Sequence, residues 1–342
     1  MKILKVASVY GGLILGAGFA SGREIVSFFV AYGYMGIVGL LLSGVIFSFV
    51  GFAVMDICMQ EKIDSYNDFI KKTMGNGLGS VMETLVMIFI FVLLCAMLAA
   101  GGAVFRQIFG TPDILGATII AVLCFITILF DLQGFIKINT LLIPILVIGG
   151  MAIGLYSIIQ QPSLSFLEGE RNPAWIRGAI IYASYNIIAA ITVLCELRKL
   201  GIDRRTAKLG SILGGIFMTS LGICLAIALY MHYPATTTEI PVLTIVSQYG
   251  SFMYILYFII LFTAIYTTAI GNAFSLVNYL KARTTLNTLL IKVMVLTVAV
   301  IFSRIGFSNF ISTVYPAFGY MGLFKILVIV LFFLMRKKRL AK

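Results

Sequence analysis

Residues able to do chemistry are few in this chain, and they gather in one stretch near its start, Gly11-Gly12-Leu13-Ile14-Leu15-Gly16-Ala17-Gly18-Phe19-Ala20-Ser21-Gly22-Arg23-Glu24. Five glycines and the Arg23–Glu24 pair interrupt an apolar segment, Val6 to Tyr32, that is long enough to cross a bilayer. If the helix opens at Gly16-Ala17-Gly18, amide N–H groups and carbonyls are freed at membrane depth. Hydrocarbon cannot satisfy them, so protein or a ligand must. A broken first span is therefore a candidate binding site. Two other readings explain the same glycines. One is close helix packing, because Gly12 and Gly16, and again Gly18 and Gly22, recur four apart on one face. The other is a kink with no ligand. A signal peptide does not fit, since a second apolar span follows at once. A dinucleotide loop fails because Gly22 comes one residue late and no acidic residue stands where a ribose would need one.

Two further stretches carry polar groups at mid-membrane. The first, Ile180-Ile181-Tyr182-Ala183-Ser184-Tyr185-Asn186-Ile187-Ile188, sets hydroxyls and an amide between apolar flanks. Such groups either line a site or hydrogen-bond between helices. The second, Phe262-Thr263-Ala264-Ile265-Tyr266-Thr267-Thr268-Ala269-Ile270-Gly271-Asn272, offers Thr hydroxyls suited to a hard cation such as Na+, although Thr also bonds back to its own helix. Three intramembrane cations remain. Lys292 lies about two turns from Lys281 and Arg283 and can snorkel. Lys325 sits some three turns from Arg336 and is expected to pair with an acid or to stand in for a coupling ion. Arg23, with Glu24, lies beyond the suspected break, where a gate or mutual neutralisation is expected.

The elements that must hold these residues are set by composition. The 342 residues are 61% hydrophobic and 11% charged, with mean hydropathy +1.08, which excludes a soluble core wrapped in polar surface. This is a polytopic, all-α membrane protein. One histidine and five cysteines, all within or beside apolar spans, leave no disulfide framework and no His-based or metal catalysis, so an enzyme is not expected.

Ten spans are predicted over Val6–Tyr32, Met35–Ile57, Thr84–Phe105, Ile114–Phe130, Ile138–Ile159, Ala174–Leu197, Leu209–Tyr230, Phe252–Leu280, Leu286–Phe302 and Phe310–Leu334. The net charge of +12 is explained by its distribution rather than by nucleic acid. With both termini cytoplasmic, only Arg106, Arg171, Arg177 and Arg304 fall outside and only Arg23, Lys292 and Lys325 fall within spans. The basic loops and tail then meet anionic lipid.

The chain reads as one transmembrane domain, 1–342, made of two halves, 1–160 and 173–335, joined by an external linker from Gln160-Gln161-Pro162 to Asn172-Pro173. Five spans is an odd number, so the second half is inverted relative to the first. In each half the longest connection follows the second span. Each carries a short surface helix, Tyr66–Met74 or Val242–Gln248, and each leads to a Gly-Ser-x-Met tetrad, Gly79–Met82 or Gly250–Met253. The symmetry requires the sixth span to be broken like the first, although no glycine marks the place.

Gly16-Ala17-Gly18 in a first span, Ala183-Ser184-Tyr185-Asn186 in a sixth and Ala264-x-x-Thr267-Thr268 in an eighth resemble the LeuT fold of the amino acid-polyamine-cation superfamily. From end to end, with Gly16-Ala17-Gly18-Phe19-Ala20-Ser21-Gly22 followed by Glu24, the chain more closely resembles the YkvI family of bacterial membrane proteins, related to branched-chain amino acid carriers. The resemblance implies a 5+5 inverted repeat with broken spans one and six, in the bacterial cytoplasmic membrane. It implies cation-coupled symport of a small amino acid or related solute, with Na+ favoured over H+ and no other cofactor. A substrate carboxylate would meet the amides of Gly16, Ala17 and Gly18, with Phe19 beside them and Ser184, Tyr185 and Asn186 opposite. Na+ would lie between carbonyls of Gly12 and Leu15 and the residues Ala264, Thr267 and Thr268, with Thr268 giving its hydroxyl. Arg23, Glu24 and Lys325 would serve as gate or coupling charges. Two departures stand out: the third span has no Tyr to meet a carboxylate, and Arg23 replaces the family's usual Gln. A channel, or a sensor that binds without flux, remains an alternative.

Overall fold

The computed structural model describes residues 2–160, 173–238 and 240–340; the linker between the halves, with Arg171, lies outside them, as does Lys342. The first span is broken twice. Helix α1, Lys2–Ile14, ends before Leu15, and Gly16 has extended backbone (φ −70°, ψ 176°). The one-turn helix α2, Ala17–Ala20, follows, then Gly22 at φ 85°, then α3, Arg23–Phe28. A positive φ suits glycine because no Cβ clashes there. At Gly22 a side chain would also meet Val242, with Cγ2 2.7 Å from a Cβ.

The remaining elements are α4 (Met35–Glu61), α5 (Tyr66–Met74), α6 (Asn76–Phe109), α7 (Asp113–Ile128), α8 (Asp131–Gln160), α9 (Ala174–Leu194), α10 (Arg204–Met231), α11 (Pro241–Val246), α12 (Ser251–Arg283), α13 (Thr288–Phe302), α14 (Phe307–Asn309) and α15 (Tyr315–Leu340). Among the described residues eight helices are long and apolar enough to span a membrane. The shorter apolar α7 and the broken first span make this compatible with ten.

Hydrophobicity alone does not orient these helices, because both the interior and the lipid face are apolar. On α4, Val38, Leu41, Val45 and Phe49 are exposed while Leu40, Phe47 and Val50 are buried. Small residues decide which face packs inward. Gly44 lies against Gly215 and Thr219 of α10, and Gly51 against the Tyr10 ring of α1, whose hydroxyl donates to the Phe47 carbonyl at 2.7 Å.

The two loop helices form where the sequence predicts them. Helix α5 is capped by Ser65, whose Oγ accepts from the Asp68 N–H at 3.1 Å, and α11 starts at Pro241 and continues as a 3-10 turn over Ser247–Tyr249. The two tetrads do not sit alike in their helices. Gly75 (φ 78°, ψ 173°) and Gly250 (φ 90°, ψ 166°) share one unusual conformation, each as N-cap of the long helix after its loop. The Gly79 tetrad lies one turn inside α6, so Gly75 is the structural counterpart of Gly250.

The sixth span corrects the expectation. Helix α9 runs unbroken through Ser184-Tyr185-Asn186 and changes only at Cys195, into a 3-10 segment ending at Leu200. The polar side chains that suggested a break are absorbed by the helix itself, as Ser184 Oγ donates to the Ile180 carbonyl (2.7 Å) and Asn186 Nδ2 to that of Tyr182 (3.0 Å). The tenth span does deform, as a π-turn over Phe310–Val314 ahead of Pro316. Proline has no N–H to donate to the preceding turn, which favours such a register slip.

Candidate functional site

At the break the N–H groups of Gly16, Ala17 and Gly18 form no backbone hydrogen bond, whereas Leu15 N–H still reaches the Gly11 carbonyl at 2.7 Å and Ala20 N–H that of Gly16 at 3.0 Å. Residues 15 to 20 are fully buried. Helix α12 passes beside them. A Cβ on Gly16 would stand 3.5 Å from Thr268, whose Oγ1 donates to the Gly12 carbonyl at 3.4 Å. Thr267 turns its hydroxyl into its own helix, donating to Thr263 (2.9 Å) and Ala264 (3.2 Å) carbonyls. Of the residues considered for Na+, the structure brings Gly12 and Thr268 into contact, keeps Leu15 and Ala264 buried nearby, and leaves Thr267 only its carbonyl to offer. One turn further along the same two helices, Ser8 Oγ and Asn272 Nδ2 are buried without hydrogen-bond partners.

The other side of the break is aromatic. Glu24 is buried and folds back onto Gly18, where a Cβ would sit 2.7 Å from its Cγ. Its Oε2 has no hydrogen-bond partner, nor do the buried hydroxyls of Tyr182, Tyr185 and Tyr315, all three within electrostatic reach of the carboxyl. Tyr185 is near enough to affect the carboxyl directly, yet falls short of hydrogen-bond geometry. Phe19 lies with its ring centroid 5.9 Å from that of Tyr182. Tyr182 and Tyr315 were not singled out from sequence. The available signal was the three-residue spacing of Tyr182 and Tyr185, one face of a helix at mid-membrane rather than at the interfacial belt where Tyr collects.

Arg23 and Glu24 do not neutralise each other. Successive helix residues point apart, and Arg23 Nη1 instead donates to the Thr236 carbonyl at 3.0 Å, in the loop that carries α11. That loop packs on the end of α2, where Val242 N–H bonds to the Ser21 carbonyl at 3.0 Å, and Tyr257 of α12 donates to the Ala20 carbonyl beside it. The two charges thus part: Arg23 tethers the α11 loop, and Glu24 turns its carboxyl inward onto Gly18.

Five spans separate the α5 loop from the α11 loop, so α5 lies at the opposite face. Lys325 meets it there. Its Nζ donates to the Tyr66 hydroxyl at 2.5 Å and lies 4.3 Å from the centre of that ring. No acid pairs with Lys325 among the described residues, contrary to one expectation. Burial pushes the Tyr66 phenol pKa well above its ordinary value, so the residue stays a neutral acceptor. Beside it a cavity of about 270 Å³ is lined by Tyr66, Glu83, Thr192, Glu196, Ser275 and Asn278. Ion pairs frame this face: Glu83–Arg283, Asp64–Arg198, Asp56–Arg204 and Glu61–Arg336. Lys292, expected to snorkel, is buried instead.

No family model matches the chain. It is 28% identical to the uncharacterized membrane protein YkvI of Bacillus subtilis (strain 168) over 328 residues, covering 93% of this chain and 92% of that one. It is 27% identical to the uncharacterized protein YyaD of the same organism, with 95% of each chain covered. Among solved structures, MhsT in complex with L-phenylalanine superposes with a TM-score of 0.70 at 15% identity, over 94% of this chain and 87% of that one. Mhp1, a nucleobase-cation-symport-1 family transporter, gives 0.60 at 14%, over 98% and 79%. A manganese transporter of Eremococcus coleocola gives 0.63 at 14%, over 95% and 74%. The fold is the LeuT fold, and the relatives by sequence are the YkvI-like membrane proteins.

Proposed function

We propose that this relative of YkvI, built on the LeuT fold, is a secondary transporter that moves a small amino acid or related solute by alternating access, coupled to Na+ rather than H+. The observation that carries the reading is the break at Leu15–Gly16, where three unpaired amides in a buried, kinked span lie against Thr268 of α12. Amides at the start of α2 suit a carboxylate. The Gly12 carbonyl and the Thr268 hydroxyl suit a hard cation.

An amino acid is favoured over a divalent metal because, among the described residues, no group of three or more His, Cys, Asp or Glu gathers as a metal site. The α11 loop over one side of the break and the α5 loop at the opposite face serve as the two gates, with the α5 side cytoplasmic, where the basic loops lie. Reconstitution into proteoliposomes tests this. Uptake of a radiolabelled amino acid should saturate and should require an inward Na+ gradient. Non-saturating flux would indicate a channel, and binding without flux a sensor.

A further inference from the structure

We propose that the Glu24 carboxylate, with the hydroxyls of Tyr182, Tyr185 and Tyr315, receives the positively charged nitrogen of the transported solute. The inference rests on the transporter reading and names the part of the solute that this corner of the site selects. Four polar groups from the broken first span, α9 and the start of α15 converge here, each on a residue at most 3% exposed, and the Glu24 Oε2 and all three hydroxyls are without hydrogen-bond partners. Buried polar atoms in native proteins are almost always paired, so four unpaired groups in one place point to a partner that arrives with the ligand.

The charge of that partner follows from what surrounds the carboxyl. Arg23, next in sequence, is held by the Thr236 carbonyl, and Lys325 by Tyr66 at the opposite face, so neither protein cation serves Glu24. An anion would be repelled, and an apolar group would leave every hydroxyl unpaired. A single carboxylate among phenols is a poor cage for a divalent ion, which gathers several oxygen ligands. An ammonium group fits both features present. It donates to the carboxylate and the hydroxyls, and it is drawn to aromatic faces. Rings are dense here. Phe28 lies with its centroid 5.8 Å from Tyr182 and 5.6 Å from Tyr185, Tyr185 lies 5.1 Å from Tyr315, and Phe89 lies 6.2 Å from Tyr315. Because the Glu24 carboxyl rests on Gly18, a solute whose carboxylate met the amides at Gly16 and Ala17 would present its α-nitrogen to Glu24. The corner therefore selects for a charged nitrogen that carries N–H donors.

The test is a thermal-shift and uptake panel on the purified full chain: the twenty amino acids, with glycine betaine and choline as cations whose nitrogen carries no N–H, and the N-acetyl and des-amino analogues of whichever amino acid stabilises most. Stabilisation and uptake by the charged-nitrogen solute should be lost with both analogues. Affinity should fall on the order of tenfold or more in Glu24→Gln and less in Tyr185→Phe and Tyr315→Phe. Size-exclusion profiles establish folding, and the two Tyr→Phe variants keep the test decisive if Glu24→Gln does not fold. Equal binding of the des-amino analogue, or unchanged affinity in Glu24→Gln or in both tyrosine variants, would overturn the assignment while leaving transport of that solute intact. Stabilisation by Na+ alone that vanishes in Glu24→Gln would assign these groups to an inorganic cation and also overturn it. No stabilisation or uptake with any member of the panel would overturn the transporter reading together with it.

Discussion

The side chain of Glu24 lies directly over the backbone of Gly18, so a Cβ at residue 18 would stand 2.7 Å from Glu24 Cγ and nearer still to its carboxyl. A residue six positions away in a twice-broken span therefore reaches back to cover the first break. Only a glycine leaves that space.

Gly18→Ala should push the Glu24 carboxyl off the break and weaken ligand binding by roughly tenfold while the protein folds. Gly18→Val should abolish binding. Ligand-induced thermal shift checks this, and wild-type affinity in folded Gly18→Val protein would favour a purely packing role for the glycines.

Thr268→Val keeps side-chain shape but removes the hydroxyl that reaches the Gly12 carbonyl. Substrate affinity should lose its dependence on Na+, a change of about fivefold or more at saturating Na+. Thr267→Val should do less, because that hydroxyl serves its own helix. Substrate titrations across Na+ at constant ionic strength separate the two variants. Equal effects would place the ion elsewhere.

Arg23 tethers the α11 loop through the Thr236 carbonyl. Arg23→Gln should open that side more often and raise labelling of a Val242→Cys reporter by roughly tenfold. The native cysteines are buried or half-buried, so background labelling is low. An unchanged labelling rate would show that the loop closes without the tether.

Tyr66 gives Lys325 both a hydroxyl and a ring face. Tyr66→Phe keeps the ring and should cost about 1–3 kcal/mol. Tyr66→Leu strands a buried cation and should cost about 3–5 kcal/mol. Denaturation in detergent measures both, and the order of the two costs is the critical result.

Gly75 and Gly250 have open space where a Cβ would go, yet hold positive φ. Gly75→Ala and Gly250→Ala should each destabilise by about 1–2 kcal/mol through backbone strain alone. Gly77→Ala, in open space on a helix, should be neutral or stabilising by under about 1 kcal/mol. A neutral Gly250→Ala would contradict the shared cap.

What the sequence determined by itself follows from local chemistry and chain counting. A run of apolar residues makes a span wherever it falls, glycines at Gly16 and Gly18 weaken one helix at that point, and Ser65 starts α5, so the membrane class, the first break and both loop helices were legible. The sixth span was misjudged because polar residues look alike whether they line a break or bond back to their own helix. Only the coordinates show Ser184 and Asn186 doing the latter. The φ and ψ shared by Gly75 and Gly250 were not legible, because the tetrads that both loops lead to stand at different places in their helices. The meeting of Glu24 with Tyr182, Tyr185 and Tyr315 was decided by tertiary structure alone. It joins residues almost three hundred positions apart, through a twice-broken first span and a π-turn in the tenth, and helix rotation at those irregular points follows from packing, which periodicity does not encode.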